Sequence, residues 1–336
     1  MGAVFDLFGS IPAAPEVTYG VEVVPTDALT VTGEPDSTHD DSFPEEELLR
    51  LSSSGRAPAR QHNKLDLSFN VTLGPMADVI NGRPSWHPIM VATGHTWAQA
   101  GVAGAGNYIE YKPKSAGFGS ATLYTFLKED GAGLLSILKH LGSRGTFTFS
   151  IEGGSGPQLQ VELSALHSFN TPFSALTAPT THGLNLDPRT YTGKCWSVTL
   201  DSGLGPEPAK LISFSLARNN EVTANEDDLT ACADGVAEIE VEPGTITGTL
   251  VIEFEASHVA AAGPANYWRE AHDADTDYEV VVARDDGVRR FSVTIPVARF
   301  GDIQQGTGDG RRQLTMAFTA QPTVSDDEYL IRDEVL

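Results

Sequence analysis

Hydrophobic and polar positions alternate along much of this chain. In RGTFTFSIEGGSGPQLQVELSALHSF (144–169), Phe147, Phe149 and Ile151 recur at every second position, and after a Gly/Ser/Pro-rich stretch so do Leu159, Val161 and Leu163. A period of two marks a half-buried strand, and the turn residues between the runs mark a hairpin. The same alternation predicts strands in KLDLSFNVTL (Leu65, Leu67, Phe69, Val71), NYIEYKP and ATLYTFLKEDG, which contains Leu123 and Tyr124 and ends in an Asp-Gly turn. Further on it predicts KCWSVTL, KLISFSLARNNEV, and a pair in VAEIEVEPGTITGTLVIEFEA, with Ile239 and Val241, then Leu250, Ile252 and Phe254. YEVVVARDDGVRRFSVTIPV reads as two strands around Asp286-Gly287, the second containing Phe291, Val293 and Ile295; Leu314, Met316 and Phe318 alternate in RRQLTMAFTA.

Helical signals are few. GLLSILKHLG (133–142) spaces Leu134, Leu135, Ile137, Leu138 and Leu141 near a helical stripe, with Gly142 as its cap, and predicts a helix over 133–141. GPANYWREAHD predicts another over 264–272, and RPSWHPIMVATGH a short one after Pro88. Residues 1–30 read as extended, with EVTYGVEVVPTDALTV alternating weakly until Pro25 interrupts it. Residues 31–60 turn acidic and then Ser/Gly/Pro-rich, which predicts a long mobile loop in which EEELLRL is capable of a helical turn. The chain divides into a first domain (1–170), a linker (171–190, containing TPFSALTAPTTHGLNLDP), a second domain (191–322) and an acidic arm (323–336), peripheral or held for contacts.

The two halves echo each other. Strand 121–127, helix 133–141 and strands 145–151 and 158–166 find counterparts in strand 247–255, helix 264–272 and strands ending in 288–296 and 312–320. RGTFTFSI parallels RRFSVTIP, and PQLQVELSA parallels RQLTMAFTA. The alternative is that any two β-rich halves share alternation.

Composition narrows the function. Lys plus Arg is 22 and Asp plus Glu 45, a net charge of −23. Such a balance argues against gripping nucleic acid, because affinity for phosphate comes from Lys and Arg. It suits a soluble surface, or one that DNA passes without sticking. Two cysteines, Cys195 and Cys232, exclude a disulfide scaffold; they read as free thiols, and one bridge between them stays compatible with the sequence. MGAVFDLFGSIP lacks a basic n-region, Asp6 stands where myristoylation requires Ser or Thr, and no apolar run approaches the ~18 residues of a membrane span.

Catalytic patterns fall short one by one. GVAGAGNY is not G-x-G-x-x-G and has no P-loop lysine. SILK fits S-x-x-K without its companion motifs, and in GGSGP Pro157 stands where G-x-S-x-G needs glycine. DADTD opens like a calcium loop, but Tyr278 replaces its glycine and Arg284 its closing glutamate. His87 and His95 stand eight apart with no Cys or Glu at ligand spacing, and Trp86, Trp97, Trp196 and Trp268 are scattered as core or interface anchors. No enzyme activity, cofactor or metal is expected.

In order and register these segments resemble the phage tail tube (major tail) proteins. EVTYGVEVVPTDAL is similar to that family's opening strand, and PSWHPIMVATG with YIEYKPKS to the stretch before its tube strands. ATLYTFLKEDG…SRGTFTFSIEGGSGPQLQVELSAL and EIEVEPGTITGTLVIEFEA…GVRRFSVTIPVARFG…RRQLTMAFTA are similar to its repeating unit, so that the likeness spans most of 15–322. The resemblance implies a mainly β fold of tandem β-sandwich or split-barrel domains, each flanked by a short helix. It implies a structural virion protein, assembled in the host cytoplasm, whose copies form stacked rings around a lumen. Three chains make a ring if the halves are tandem domains, six if they are one. Partners are then other copies, the tape measure, terminator and tail-tip proteins, and DNA passing without specific binding; no membrane is involved. The tube-forming candidates are Leu123, Tyr124, Phe147, Phe149, Ile151, Leu250, Ile252, Phe254, Phe291, Val293 and Ile295, on strands 121–127, 145–151, 247–255 and 288–296. Long loops at 31–60 and 218–235 are expected between rings. The rival expectation is a β-rich module at a tail tip that recognises a receptor or glycan.

Overall fold

In a computed structural model of the chain the alternating segments pair edge to edge, antiparallel throughout the described residues. Those residues are 10–25, 27–42, 45–50, 53–58, 61–76, 82–101, 104–128, 135–153, 155–167, 191–203, 205–225, 238–255, 276–308 and 310–336. The first half carries β1 (Ser10–Pro15), β2 (Asp27–Ser42), β3 (Glu45–Arg50), β4 (Ser53–Pro58) and β5 (Gln61–Thr72). Helix α1 (His87–Ala92), β6 (His95–Ala100), β7 (Tyr108–Pro113), β8 (Ala121–Lys128), β9 (Leu135–Glu152) and β10 (Gln158–His167) follow. The second half carries β11 (Trp196–Asp201), β12 (Pro206–Ala209), β13 (Leu211–Arg218), β14 (Glu221–Asn225) and β15 (Glu238–Glu242). It continues with β16 (Ile246–Glu253), β17 (Asp277–Asp285), β18 (Arg289–Gly308), β19 (Arg311–Ala320) and β20 (Leu330–Val335).

The protein is mainly β, built on one large antiparallel sheet. Strands β10, β5, β2, β1, β8 and β9 pair in that order, and β10 pairs again with β9, which closes a ring. From β9 the sheet continues through β13, β16, β19, β18, β17, β11 and β12, while β20, β7 and β6 branch from β18. Strands on either side of residues 171–190 are therefore bonded to each other, at β9–β13 and at β7–β20.

Register explains the core. Directly opposed residues share a sheet face. One row runs Val31, Val71, Leu159, Phe149, Leu216, Gly248, Phe318 and Phe300; the next runs Ile151, Phe214, Leu250, Met316 and Ile303. Apart from Gly248 these residues are all buried. Phe149 stacks on Phe291 with centroids 5.8 Å apart although β9 and β18 are not hydrogen-bonded neighbours, so the sheet curls until these strands face across the core. Gly248 is required here: a Cβ would lie 2.2 Å from the Phe318 ring and 2.4 Å from the Ser215 carbonyl.

Strands form within the segments expected at 65–71, 107–113, 121–127, 145–151, 158–166, 194–200, 210–222, 236–242, 247–255 (where the strand ends at Glu253), on both sides of Asp286-Gly287 and at 312–320, as does the short helix at Pro88. Four expectations are corrected. From Leu135 onward the segment read as helix 133–141 is strand, because Leu135–His140 pairs residue by residue with Leu123–Lys128 of β8. Gly142 caps no helix: at φ +61° it sits in a strand irregularity, donates its N–H to Glu16 Oε1 (2.8 Å), and leaves no room for a Cβ beside the Tyr19 ring. The acidic stretch 31–60 is a two-stranded ribbon of β2 on β5, with the β3–β4 hairpin beyond it, rather than a loop. The tail read as an arm, peripheral or held for contacts, contains β20, an interior strand between β18 and β7, with Tyr329, Ile331 and Asp333 buried. Lastly, 238–242 and 246–253 are strands but not a pair; β15 bonds β14, and β16 bonds β13 and β19. Helix 264–272, the linker segment 171–188 and Cys232 lie outside the described residues, and of 218–235 only the part through 225 is described.

Candidate functional surfaces: a polar sheet face and an open margin

The eleven tube-forming candidates come together in the protein's own interior. Leu123, Phe147, Phe149, Ile151, Leu250, Ile252, Phe291, Val293 and Ile295 belong to one buried cluster, and Phe254 packs against it half-buried. Tyr124 is buried beside them, with its hydroxyl donating to Glu22. The strands around them are also satisfied at their margins: β9 lies between β10 and β13, β16 between β13 and β19, and the first part of β18 between β17 and β20. What these strands offer outward is set by the intervening residues.

Those residues form a second, polar set of rows. Thr32, Asn70, Gln160, Thr148, Ala217, Thr247, Thr319 and Arg299 stand opposite one another across eight strands. Beside them run Thr72, Gln158, Ser150, Ser215, Thr249 and Ala317, then Glu152, Ser213, Val251 and Thr315. Hydroxyls and amides dominate. The one cation in these rows, Arg299, is held by both carboxylate oxygens of Asp277 at 2.9 and 3.1 Å. Glu152 and, on the flanking row, Glu162 have no cationic partner among the described residues. Two shallow depressions open on this side of the sheet, each of about 400 Å³, one beside Thr148, Gln160 and Glu162 and one beside Ser215, Thr247 and Thr319. Alternation in the sequence carried the signal for this face: it is the complement of the hydrophobic positions.

Margins differ at the two ends of the sheet. At β12, PEPA, Pro206 and Pro208 have no N–H to give, which blunts the edge. At β6, HTWAQA, there is neither proline nor formal charge apart from the buried His95, and the only strand bonded to it among the described residues is β7. Trp97 on this strand is 40% exposed, lies 4.1 Å beneath the Arg83 guanidinium, and meets the His87 ring edge-on at 5.2 Å. Local sequence could not reveal this margin, because it depends on which strands pair.

Buried polar groups fix the position of β6 and β7. His95 Nδ1 lies 2.8 Å from the Met90 carbonyl, which can only accept; Nδ1 therefore carries the proton and Nε2 accepts from the Tyr329 hydroxyl at 2.5 Å. Burial, then the Arg218 charge, hold His95 well below the ordinary histidine range. His87 is pushed down to about 3, chiefly by burial and next by Arg83, and its Nδ1 pairs with the Tyr111 hydroxyl at 2.9 Å. Arg218 is itself buried, donating to the Gly94 and Lys114 carbonyls and to Asn220 Oδ1. On β20, Asp333 accepts from the Met76 N–H (2.7 Å) and the Tyr191 hydroxyl (2.6 Å). Burial raises its carboxyl to about 6, against the pull of those hydrogen bonds and of Arg289. Each of these clusters is satisfied by the chain's own groups and joins distant segments.

Among the described residues no three His, Cys, Asp or Glu side chains gather as a metal site, and no helix is long and apolar enough to cross a membrane. Cys195 is a free, exposed thiol. Neither the models of known protein families nor the curated proteins contain a match to this chain.

Proposed function

We propose that this chain is a self-assembling structural subunit of the phage tail tube type, whose copies form stacked rings around a channel that DNA traverses. The observation that carries the reading is the polar face: eight strands presenting mostly Thr, Ser, Asn, Gln and Ala, with the one cation in the rows traced, Arg299, neutralised by Asp277. A channel lining must hydrate readily and must not bind phosphate. Hydroxyls and amides do the first, and a lack of free Lys or Arg does the second. The overall charge of −23 acts in the same direction.

The finer architecture follows the same reading. The parts built around β9 and β18 serve as tandem units, so that three chains supply six units to a ring. Rings made by one kind of head-to-tail contact close by rotation and stack by translation. The protein has no catalytic role in this scheme.

Negative-stain electron microscopy of the purified chain tests it. Hollow tubes or stacked rings are expected, and the mass of an isolated ring separates three copies from six. Persistent monomers that bind glycans would overturn it in favour of a tail-tip recognition module.

A further inference from the structure

The β6 margin has the properties of a strand acceptor. Its outer side has no main-chain partner among the described residues, three of its four exposed positions (Thr96, Ala98 and Ala100) are small, and it contains no proline. Arg83 lies over Trp97, Lys112 stands opposite Thr96 and near Asp327, and Lys114 follows β7; the carboxylate opposite Ala98, Glu110, is paired with Arg332 at 3.2 Å. The β2–β5 ribbon has the converse properties. Beyond Val31 the outer margin of β2 is bonded to no strand among the described residues. Its sequence carries Glu34, Asp36, Asp40 and Asp41, and β3 adds Glu45, Glu46 and Glu47. β2 continues eleven residues past Val31, to Ser42, about 35 Å at ~3.3 Å per residue, which is long enough to reach across a neighbouring molecule.

We propose that β6 receives the acidic ribbon of a second copy, which adds to the sheet as a further strand. Main-chain hydrogen bonds supply the affinity, the charge difference supplies the pairing rule, and Trp97 under Arg83 forms the buried anchor. Giver and receiver are different surfaces, so each copy offers one of each and the contact propagates. This rests on the reading that the chain assembles with itself, and adds the two surfaces that meet.

Charge exchange in the full chain tests it. Thr96→Glu with Ala100→Glu makes the margin acidic at two exposed positions, opposite Lys112 and Tyr108. Glu34→Lys with Asp36→Lys and Asp41→Lys, all on β2, makes the ribbon basic. Each set alone is expected to raise the concentration needed for assembly about tenfold or more, with the thermal midpoint of the monomer unchanged. Mixing the two variants one to one, or placing both sets on one chain, is expected to bring that concentration back to within about threefold of the parent. Assembly of the acidic-margin variant at the parent's concentration overturns the proposal. So does loss of assembly that the basic ribbon fails to rescue, which assigns β6 another partner, and so does a parent that stays monomeric at every concentration. If the exchange behaves as expected but the particles have no lumen, the contact stands and the tube reading falls.

Discussion

β9 and β18 are built alike and end up in unlike surroundings. They are the longest strands, 18 and 20 residues, and each changes partner along one margin: β9 passes from β8 to β13, and β18 from β20 to β19. On their other margins the likeness ends. From β9 the path through β10, β5, β2, β1 and β8 returns to β9, so the ring pairs its own edges, apart from the outer margin of β2 beyond Val31. From β18 the path through β17 and β11 stops at proline-blunted β12, and the branch through β20 and β7 stops at β6. Closure removes edges and an open layout keeps them. The comparison teaches that one strand plan yields a closed ring around β9 and an open, branched layout around β18 that ends in the two margins β12 and β6.

The largest test asks whether the two regions share one core. Phe149 on β9 touches Phe291 of β18 and Phe214 of β13. Phe149→Ala is expected to cost about 3–5 kcal/mol, read by urea denaturation, in a single transition detected alike by near-UV and far-UV signals. Two separate transitions, with only one shifted, would mean that the regions are independent.

Acid provides the next. His87 and His95 are held neutral, with folded pKa values below 6.5, so their contribution is complete above pH 6.5 and is lost as pH falls below it. At about pH 5 the loss is about 2 kcal/mol for His87, from 1.36 kcal/mol per unit. Asp333 runs the other way: raised from 3.8 to about 6, it favours the fold most at low pH and loses that contribution as pH rises through this window. The denaturation midpoint is expected to fall from pH 7 to pH 5, and to fall more steeply in Asp333→Asn, which lacks the opposing group. A flat profile in both proteins would show that the histidines are not buried neutral.

A smaller effect is expected at Gly248, on the open side. Gly248→Ala places a methyl against the Phe318 ring and should cost about 1–3 kcal/mol by thermal denaturation. Gly287, at the β17–β18 turn with φ +79°, has nothing near its Cβ position, so Gly287→Ala meets only the backbone cost of about 1 kcal/mol. The smallest effect is on the polar face. Thr148→Lys and Thr249→Lys are expected to change stability by less than about 0.5 kcal/mol, yet to make assembled particles retain DNA in a sedimentation assay at low salt.

Much of the fold could be read from the sequence because alternation survives wherever a strand has one dry and one wet face, as at 65–71, 145–151 and 278–295. The helix expected at 133–141 failed because LLSILKHL is a short apolar run without a clear period, and pairing with β8 outweighed its helical spacing. The tail failed for a different reason. Its inward positions are Tyr329, Ile331, Asp333 and Val335, and the buried aspartate disguised an otherwise regular strand as an acidic arm. Residues 31–60 misled because an acidic, then Ser/Gly/Pro-rich composition reads as loop, whereas the pairing of β2 with β5 and of β3 with β4 is between backbones. The polar face was implicit in the alternation, whereas the β6 margin follows from long-range pairing that local composition does not encode.

Because β20 follows every other described strand in chain order, the ribosome makes it after them. Until then β7 and β6 have no bridge to β18. If β6 receives a second copy as proposed, translation sets a timer: a nascent copy recruits neighbours only after β20 has docked, which keeps half-made subunits on a polysome from joining one another.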